Sequence, residues 1–163
     1  EPTGGADIET TRKMNRILTG EDLLTFNEKL VLVFRNLRKN NNYITRQNFQ
    51  NDTNTAITGL TDMLDKAAKE GKRRSGAVYY HKSDKANIAF GKVAIRFTDY
   101  LTEDCTQEQS DINAVAIANE IVSEIKRVGL FCFWDGSPNS VVWAFFFEED
   151  ANKMNSVNFA KVR

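Results

Sequence analysis

The chain has 163 residues, with 22 Lys and Arg residues against 22 Asp and Glu residues and therefore no formal net charge. This length suits one domain with one sizeable core, and the balanced charge lacks the basic excess that is typical of general nucleic-acid binders. No run of about 18 apolar residues exists, so the sequence predicts no membrane-spanning segment.

The N-terminal residues and the two cysteines indicate where in the cell the protein is expected. Residues 1–18 are polar almost throughout, which predicts a flexible arm ahead of a single domain over 19–163. The N-terminus has no apolar signal-peptide core. It also lacks an initiator Met. The chain is therefore expected to be cut from a longer one or to have lost a leader, and Met14 could be a start. Cys105 and Cys132 form no CxxC pair, which favours reduced thiols and a cytoplasmic protein.

The first predicted helix begins after Thr19, a good N-cap residue. It ends at Asn40-Asn41-Asn42, because Asn competes for backbone hydrogen bonds and tolerates the left-handed conformation. Its apolar residues recur at three- and four-residue steps and share one face. They are Leu23, Phe26, Leu30, Val33, Phe34 and Leu37.

A short strand is predicted within Tyr43–Phe49, followed by a second helix from Asp52 or Thr53 to Glu70. The apolar stripe of that helix consists of Ile57, Leu60, Met63, Leu64 and Ala67. Gly71 ends the helix, and the basic cluster Lys72-Arg73-Arg74 follows. A solvated helix end is favoured for that cluster over a phosphate site.

Ala77–His81 is rich in residues that favour strands, and a turn follows at 82–85. A further strand is predicted over Ala86–Phe97, with apolar residues at even positions before Gly91 and at odd positions after it. A β-bulge at Gly91 would restore the register and keep both halves facing one core.

Residues 98–109 form an acidic polar loop, and Ser110 is the expected cap of a third helix that Gly129 closes. The predicted buried stripe of this helix is Ile112, Val115, Ala118, Val122, Ile125 and Val128.

Two strands, Leu130–Trp134 and Val141–Phe147, flank the turn at 135–139. The second strand is apolar on both faces, which predicts a central strand covered on both sides, or an interface. The tail from Glu148 is mostly polar. The order is therefore α-β-α-β-β-α-β-β. Because hairpins pair antiparallel, we expect an α+β domain with a mixed or antiparallel sheet of about four to five strands and about three packed helices.

His81 is the single histidine, so mechanisms that need two imidazoles and histidine-rich metal sites are excluded. Asp84 follows three residues later and could orient His81 for acid–base chemistry. The favoured alternative is a hydrogen bond between His81 and its own turn carboxylate, which would only fix the hairpin.

Arg46 and Asn48 lie in a polar segment between apolar neighbours, where an Arg can grip a carboxylate or a phosphate with two hydrogen bonds. Pairing with a structural carboxylate is the favoured alternative. Trp134 and Asp135 lie beside a turn and are candidate binding residues. The favoured alternative is that Trp134 belongs to the core and is followed by an Asp-Gly turn. No phosphate loop, GxGxxG, HExxH, GxSxG or EF-hand motif occurs, so neither a cofactor nor a metal is predicted.

Three segments in order and spacing resemble a domain family of unknown function found mostly in bacterial proteins. They are Ile44–Phe49, Gly76–Asp84 and Val128–Gly136. The resemblance covers about Leu24 to Phe147 and implies one fold unit without supplying an activity. Members of the family often carry cysteines after the Asn-Phe pair, whereas this chain has Gln50–Asn54 there, so no metal or redox role is carried over.

Two classes of function remain open. The first is a non-catalytic binding protein that docks on another protein, for example as an immunity or accessory factor in a bacterial conflict system. It is supported by the 11 Phe, 4 Tyr and 2 Trp, since aromatic residues anchor interfaces. The second is a small-ligand pocket or a hydrolase or transferase with His81 as base. For it, we expect Arg46, His81 and Trp134 to line one cavity.

Overall fold

The structure, a computed structural model, describes residues 17–162, with side chains described as far as residue 156. Five helices occur in this range: α1 (Gly20–Asn40), α2 (Thr53–Lys69), α3 (Lys85–Ile88), α4 (Gln107–Arg127) and α5 (Glu148–Val162). The strands of this range are β1 (Tyr43–Arg46), β2 (Gly76–Tyr79), β3 (Lys92–Asp99), β4 (Phe131–Phe133) and β5 (Val142–Phe145).

The strands form one sheet in the order β1-β2-β3-β5-β4. β1 runs parallel to β2, whereas all other neighbours are antiparallel. The parallel pair is joined through α2, because parallel neighbours need a long crossover. The predicted α+β class with a mixed sheet is confirmed. The predicted order of elements is present too, with α3 and α5 as additions.

Helix α1 begins and ends where the sequence predicts. The Thr19 hydroxyl accepts a hydrogen bond from the backbone N–H of Asp22 at 3.3 Å, and the Asp22 carboxylate accepts one from the Thr19 N–H. This capping box satisfies two N–H groups that the helix cannot pair itself. After the helix, Asn42 has a φ of +67°, the left-handed conformation expected of the Asn run.

The sheet separates two apolar clusters of unequal size. Helices α1 and α4 cover one face and build the larger cluster together with residues of β1, β2, β3 and β5. Helix α2 covers only the β1–β2 part of the other face. The buried residues of this smaller cluster are Ala56, Leu60, Leu64, Ala77 and Tyr79.

The predicted strand over Ala86–Phe97 with a bulge at Gly91 is wrong. Residues 85–88 form α3, which follows a 3-10 turn at Lys82–Asp84, and β3 begins only at Lys92. Gly91 joins helix to strand with a φ of +82°. The change of apolar phase therefore marks a change from a helical period to a strand period, which short segments do not distinguish.

Helix α4 begins earlier than predicted, with Thr106 rather than Ser110 as its N-cap. Ile112, expected in the buried stripe, is 59% exposed. The buried face lies further round the helix and consists of Ala114, Ile117, Ala118, Ile121, Glu124 and Ile125.

Strand β5 lies between β3 and β4, which confirms its predicted central position. The polar tail expected from Glu148 forms α5. Of the predicted arm, residues 1–16 lie outside the described range. Leu18 is buried, and its N–H donates to the carbonyl of Ala89 at 2.6 Å.

Both Cys105 and Cys132 are free thiols, and burial raises the pKa of the Cys132 thiol. Along residues 17–162, no helix combines the length and the apolar character that crossing a bilayer requires.

Candidate functional site

A polar cleft of about 260 Å³ lies beside the C-terminal half of β3. It is bounded by β2 and β3, by the first turns of α2 and α4, and by the loop before β5. The side chains that define its chemistry are those of Tyr79, Arg96, Asp99, Ser110, Asn139 and Ser140.

The cleft exists because β5 is shorter than β3. β5 pairs only with residues 92–95, whereas β2 pairs with residues 96–99 on the other side. Phe97, Thr98 and Asp99 all line the cleft. Consecutive strand residues point to opposite faces, so the cleft is open to the edge of β3 rather than to one face.

Hydrogen-bond alternation shows which backbone groups face this edge. The N–H of Phe146 donates to the carbonyl of Gly91 at 2.8 Å, so odd-numbered residues of β3 present their N–H and C=O toward β5. The N–H and C=O groups of Phe97 and Asp99 therefore point toward the position that a longer β5 would occupy. Among the described residues, no strand pairs with them there.

Arg96 is the main cation of the cleft. It lies directly opposite Tyr79 in the β2–β3 ladder, and its buried Nε has no hydrogen-bond partner among the described residues. Burial raises the pKa of Tyr79, and the positive charge of Arg96 partly offsets that rise. Within the described part of the chain, no carboxylate forms an ion pair with Arg96. Among the residues that the structure describes, the guanidinium therefore keeps donors for a further acceptor.

Asp99 carries the second unpaired group. Its Oδ1 accepts a hydrogen bond from the Ser110 hydroxyl at 3.2 Å, whereas Oδ2 is buried without a partner. Buried polar atoms are normally hydrogen-bonded. The cleft therefore offers an acceptor at Asp99 and a donor at Arg96, three residues apart along β3.

Trp134 and Asp135 hold the loop that bounds the cleft. The indole N–H of Trp134 donates to the carbonyl of Ser137 at 3.0 Å. The Asp135 carboxylate accepts from the Ser137 N–H at 2.9 Å and from the Ser140 hydroxyl at 2.8 Å. Neither predicted binding residue lines the cleft: Asp135 contacts the lining residue Ser140, and Trp134 holds the same loop at Ser137.

His81 is 4% exposed and its ring is enclosed. Nδ1 lies 3.3 Å from the carbonyl of Phe49 and 3.2 Å from that of Gln50. Because carbonyls only accept hydrogen bonds, Nδ1 carries the proton. Nε2 lies 3.3 Å from the hydroxyl of Thr53, a residue that lines the cleft. His81 therefore fixes the start of α2.

Asp84 does not orient the imidazole for acid–base chemistry, whereas the favoured alternative, a hydrogen bond between His81 and its own turn carboxylate, is present through the His81 backbone rather than the ring. Its Oδ2 accepts a hydrogen bond from the backbone N–H of His81 at 3.3 Å, and its Oδ1 accepts from the Asn87 side chain at 3.3 Å. The buried carboxylate thus stabilises the 3-10 turn before α3.

Arg46 and Asn48 are exposed beyond the end of β1. One Nη of Arg46 donates to the carbonyl of Thr45 at 2.8 Å. Asn48 lines a different cavity, of about 530 Å³, together with Lys82 and Lys85. The structure therefore places neither residue in the Arg96 cleft.

The predicted convergence of Arg46, His81 and Trp134 in one cavity is wrong. Arg46 and His81 lie at the C-terminal ends of the parallel neighbours β1 and β2. Trp134 follows β4, which runs antiparallel to β2 and is separated from it by β3 and β5. Trp134 packs against the larger cluster on the face covered by α1 and α4, whereas the His81 ring contacts Thr53 of α2 on the other face.

Sequence reasoning missed Arg96 and Asp99. The available signal was charge within an apolar strand, since Arg96 and Asp99 interrupt or end the run that starts at Val93. A central strand rarely carries an unpaired Arg. In the described residues, no group of three or more His, Cys, Asp or Glu side chains is arranged to hold a metal ion.

The fold is a single-sheet α+β domain with a polar cleft at an incompletely paired strand. The chain matches the family described as Domain of unknown function (DUF6891) over residues 22–149 and belongs to that family. The predicted membership in a family of unknown function is thereby confirmed. No match was found among the curated proteins or the solved structures.

Proposed function

We propose that the protein is a non-catalytic binding domain that takes a short extended segment of a partner protein along the free edge of β3. The observation that carries this proposal is that Phe97 and Asp99 on that edge face the cleft with no paired strand among the described residues; the Asp99 carbonyl accepts only a local hydrogen bond, from the Thr98 hydroxyl at 3.3 Å. An extended segment that adds to a sheet edge gains main-chain hydrogen bonds and uses side-chain contacts for specificity.

The side chains expected in the bound segment follow from two atoms of the cleft, Nε of Arg96 and Oδ2 of Asp99. Arg96 and Asp99 are three residues apart, about 10 Å along a strand, and they point to opposite faces. An antiparallel segment paired along Phe97–Asp99 would place a hydroxyl or amide donor opposite Asp99 and an acidic residue at its C-terminal end, toward Arg96; it stops short of Val142, which pairs with Ile95. The expected motif is therefore a donor residue followed three positions later by Asp or Glu.

The size of the cleft agrees with a short segment. Its volume of about 260 Å³ lies just below the range of roughly 300–1,000 Å³ found for small-molecule and cofactor pockets. Exposed apolar residues on α1, with Leu24 at 60% and Val31 at 49%, offer further contact area to a docking protein. An immunity or accessory role suits a domain that acts by docking.

The hydrolase or transferase alternative has no support in the geometry. A general base must reach the proton it removes, within about 2.6–3.2 Å or through one water. His81 is buried, and its ring faces Thr53 and two backbone carbonyls. Arg46 lies outside the cleft and bonds its own neighbouring carbonyl.

The test is an NMR titration of the ¹⁵N-labelled protein with the peptide acetyl-Ser-Val-Val-Glu-amide. We expect saturable shifts of the Phe97 and Asp99 amides and of the Arg96 Nε–H. The matched peptide with Gln in place of Glu should bind at least about tenfold more weakly, and so should the Glu peptide with N-methylated backbone. Arg46 serves as the internal control.

Two outcomes would overturn the proposal. The first is no shift at β3 with either peptide at millimolar concentration. The second is equal binding of the Glu, Gln and N-methylated peptides, since that would exclude both main-chain pairing and recognition of the acidic group.

A further inference from the structure

A second cavity, of about 510 Å³, lies on the other side of α4. It is bounded by the start of β1, the segment before β2, the residue after β3 and the middle of α4. The residues that define its chemistry are Tyr43, Arg73, Arg74, Tyr100, Asn113 and Glu120.

Glu120 presents an unpaired acceptor in this cavity. Its Oε2 is buried, and no residue in the described part of the chain offers it a hydrogen bond. Burial in the first place, and a hydrogen bond to Glu120 in the second, raise the pKa of Tyr43. Tyr43 therefore stays protonated and donates its hydroxyl to Glu120. One carboxylate oxygen is left without a donor, and buried polar atoms normally have one.

Two guanidinium groups line another wall of the cavity, formed by the segment before β2. Arg74 is held by hydrogen bonds from one Nη to the carbonyl of Arg38 at 3.2 Å and to the side-chain oxygen of Asn42 at 3.1 Å. The guanidinium of Arg73 lies over the Tyr100 ring, 5.3 Å from its centroid. A guanidinium has five N–H donors, so both groups keep donors for a further acceptor.

The opposite charges of this cavity are not paired with each other. Within the described residues, no ion pair joins Arg73 or Arg74 to Glu120 or to another carboxylate. A ligand that satisfies both walls must carry an N–H donor for Glu120 and an acidic group for the two arginines.

We infer that this cavity is a binding site for a small zwitterion, a molecule with an ammonium group at one end and a carboxylate at the other. The ammonium donates to Glu120, and the carboxylate accepts from Arg73 and Arg74. The basic cluster Lys72-Arg73-Arg74 thereby acquires a role other than that of a solvated helix end. The site shares no lining residue with the Arg96 cleft.

The test uses a series of ω-amino acids of increasing length: glycine, β-alanine, 4-aminobutyrate and 5-aminovalerate. Each is titrated into the protein while the ring resonances of Tyr43 and Tyr100 are followed by NMR. We expect one length to bind at least about tenfold more tightly than acetate or butylammonium, because only a zwitterion of the right span reaches both walls. Binding of every zwitterion no tighter than acetate would overturn the inference.

Variants distinguish binding in this cavity from non-specific attraction to the basic cluster. Glu120→Gln and Arg74→Gln should each weaken binding of the best zwitterion at least about tenfold. Lys72→Gln, in the same basic cluster but outside the cavity lining, should leave it unchanged. If Lys72→Gln weakens binding as much as Arg74→Gln, or if Glu120→Gln has no effect, the inference is wrong. If a variant does not fold, the titration of the unaltered protein with the amino-acid series still tests the inference.

Discussion

Tyr79 and Arg96 lie directly opposite each other on β2 and β3, yet only the tyrosine belongs to a packed cluster. Arg96 keeps a buried Nε without a partner, within an otherwise apolar stretch of strand. A group of this kind lowers the stability of the fold, so its presence points to a use outside the fold.

We expect Arg96→Met to leave the free energy of unfolding unchanged or to raise it by up to about 1 kcal/mol, because the substitution removes an unsatisfied buried donor and keeps the apolar stem. Urea unfolding measures this. As a matched control, Ile95→Ala on the same strand deletes a fully buried side chain and should cost about 2–4 kcal/mol. A loss above about 1 kcal/mol for Arg96→Met would mark Arg96 as a structural residue.

His81→Ala should destabilise the protein by about 2 kcal/mol or more, because it leaves buried hydrogen-bonding groups of the loop before α2 without the imidazole. It also removes the edge contact between His81 and Tyr79, whose ring centroids are 5.4 Å apart. Thermal and urea unfolding are the measurements. Arg46→Ala, an exposed change near the same end of the sheet, should stay within about 0.5 kcal/mol. Equal stability of the two variants would contradict the structural role of His81.

Gly91→Ala and Gly136→Ala separate backbone strain from side-chain crowding. Both glycines have positive φ, at +82° and +89°. A Cβ at Gly136 meets nothing within 4 Å, whereas one at Gly91 meets the Cβ of Phe146 at 3.1 Å. We expect a cost of about 1 kcal/mol for Gly136→Ala and a larger one, about 2–3 kcal/mol, for Gly91→Ala. Equal costs in urea unfolding would show that Phe146 moves freely.

Alkaline pH should unfold the protein through its buried tyrosines. Burial raises the pKa of Tyr43, Tyr79 and Tyr80 above the ordinary value of 10.0. The folded state therefore binds more protons than the unfolded state above that pH, so this contribution to stability is complete below pH 10 and is lost as the pH rises. The slope is at most about 1.4 kcal/mol per pH unit for each tyrosine.

The measurement is urea unfolding at a series of alkaline pH values, with tyrosinate absorbance as a second probe. Tyr43→Phe should make the loss of stability with pH shallower. Tyrosinate absorbance from Tyr43 that rises before the fold is lost would show that its hydroxyl ionises in the native state.

One cooperative transition is expected in calorimetry, because the larger apolar cluster joins α1, α4 and four strands across most of the described sequence. Two separated transitions that reappear at several scan rates would contradict a single domain over 19–163.

Local signals in the sequence predicted much of the fold. Thr19 is the helix N-cap that the sequence predicts, and Asn42 adopts the left-handed conformation that an Asn run favours. Such features depend on hydrogen bonds between residues a few positions apart, so they are visible without knowledge of the fold. The unbroken apolar character of β5 likewise predicted its place inside the sheet, since each of its faces needs a cover.

The cleft was decided by tertiary structure alone. Whether Arg96 is paired, and whether the edge of β3 is free, depends on β5 ending its pairing at residue 95 and on which strand lies beside which. Sequence spacing carries no information on that register. The same reason explains the wrong convergence of His81 and Trp134: each lies beside a strand end, but the His81 ring contacts α2 on one face of the sheet, whereas Trp134 packs against the larger cluster on the other face.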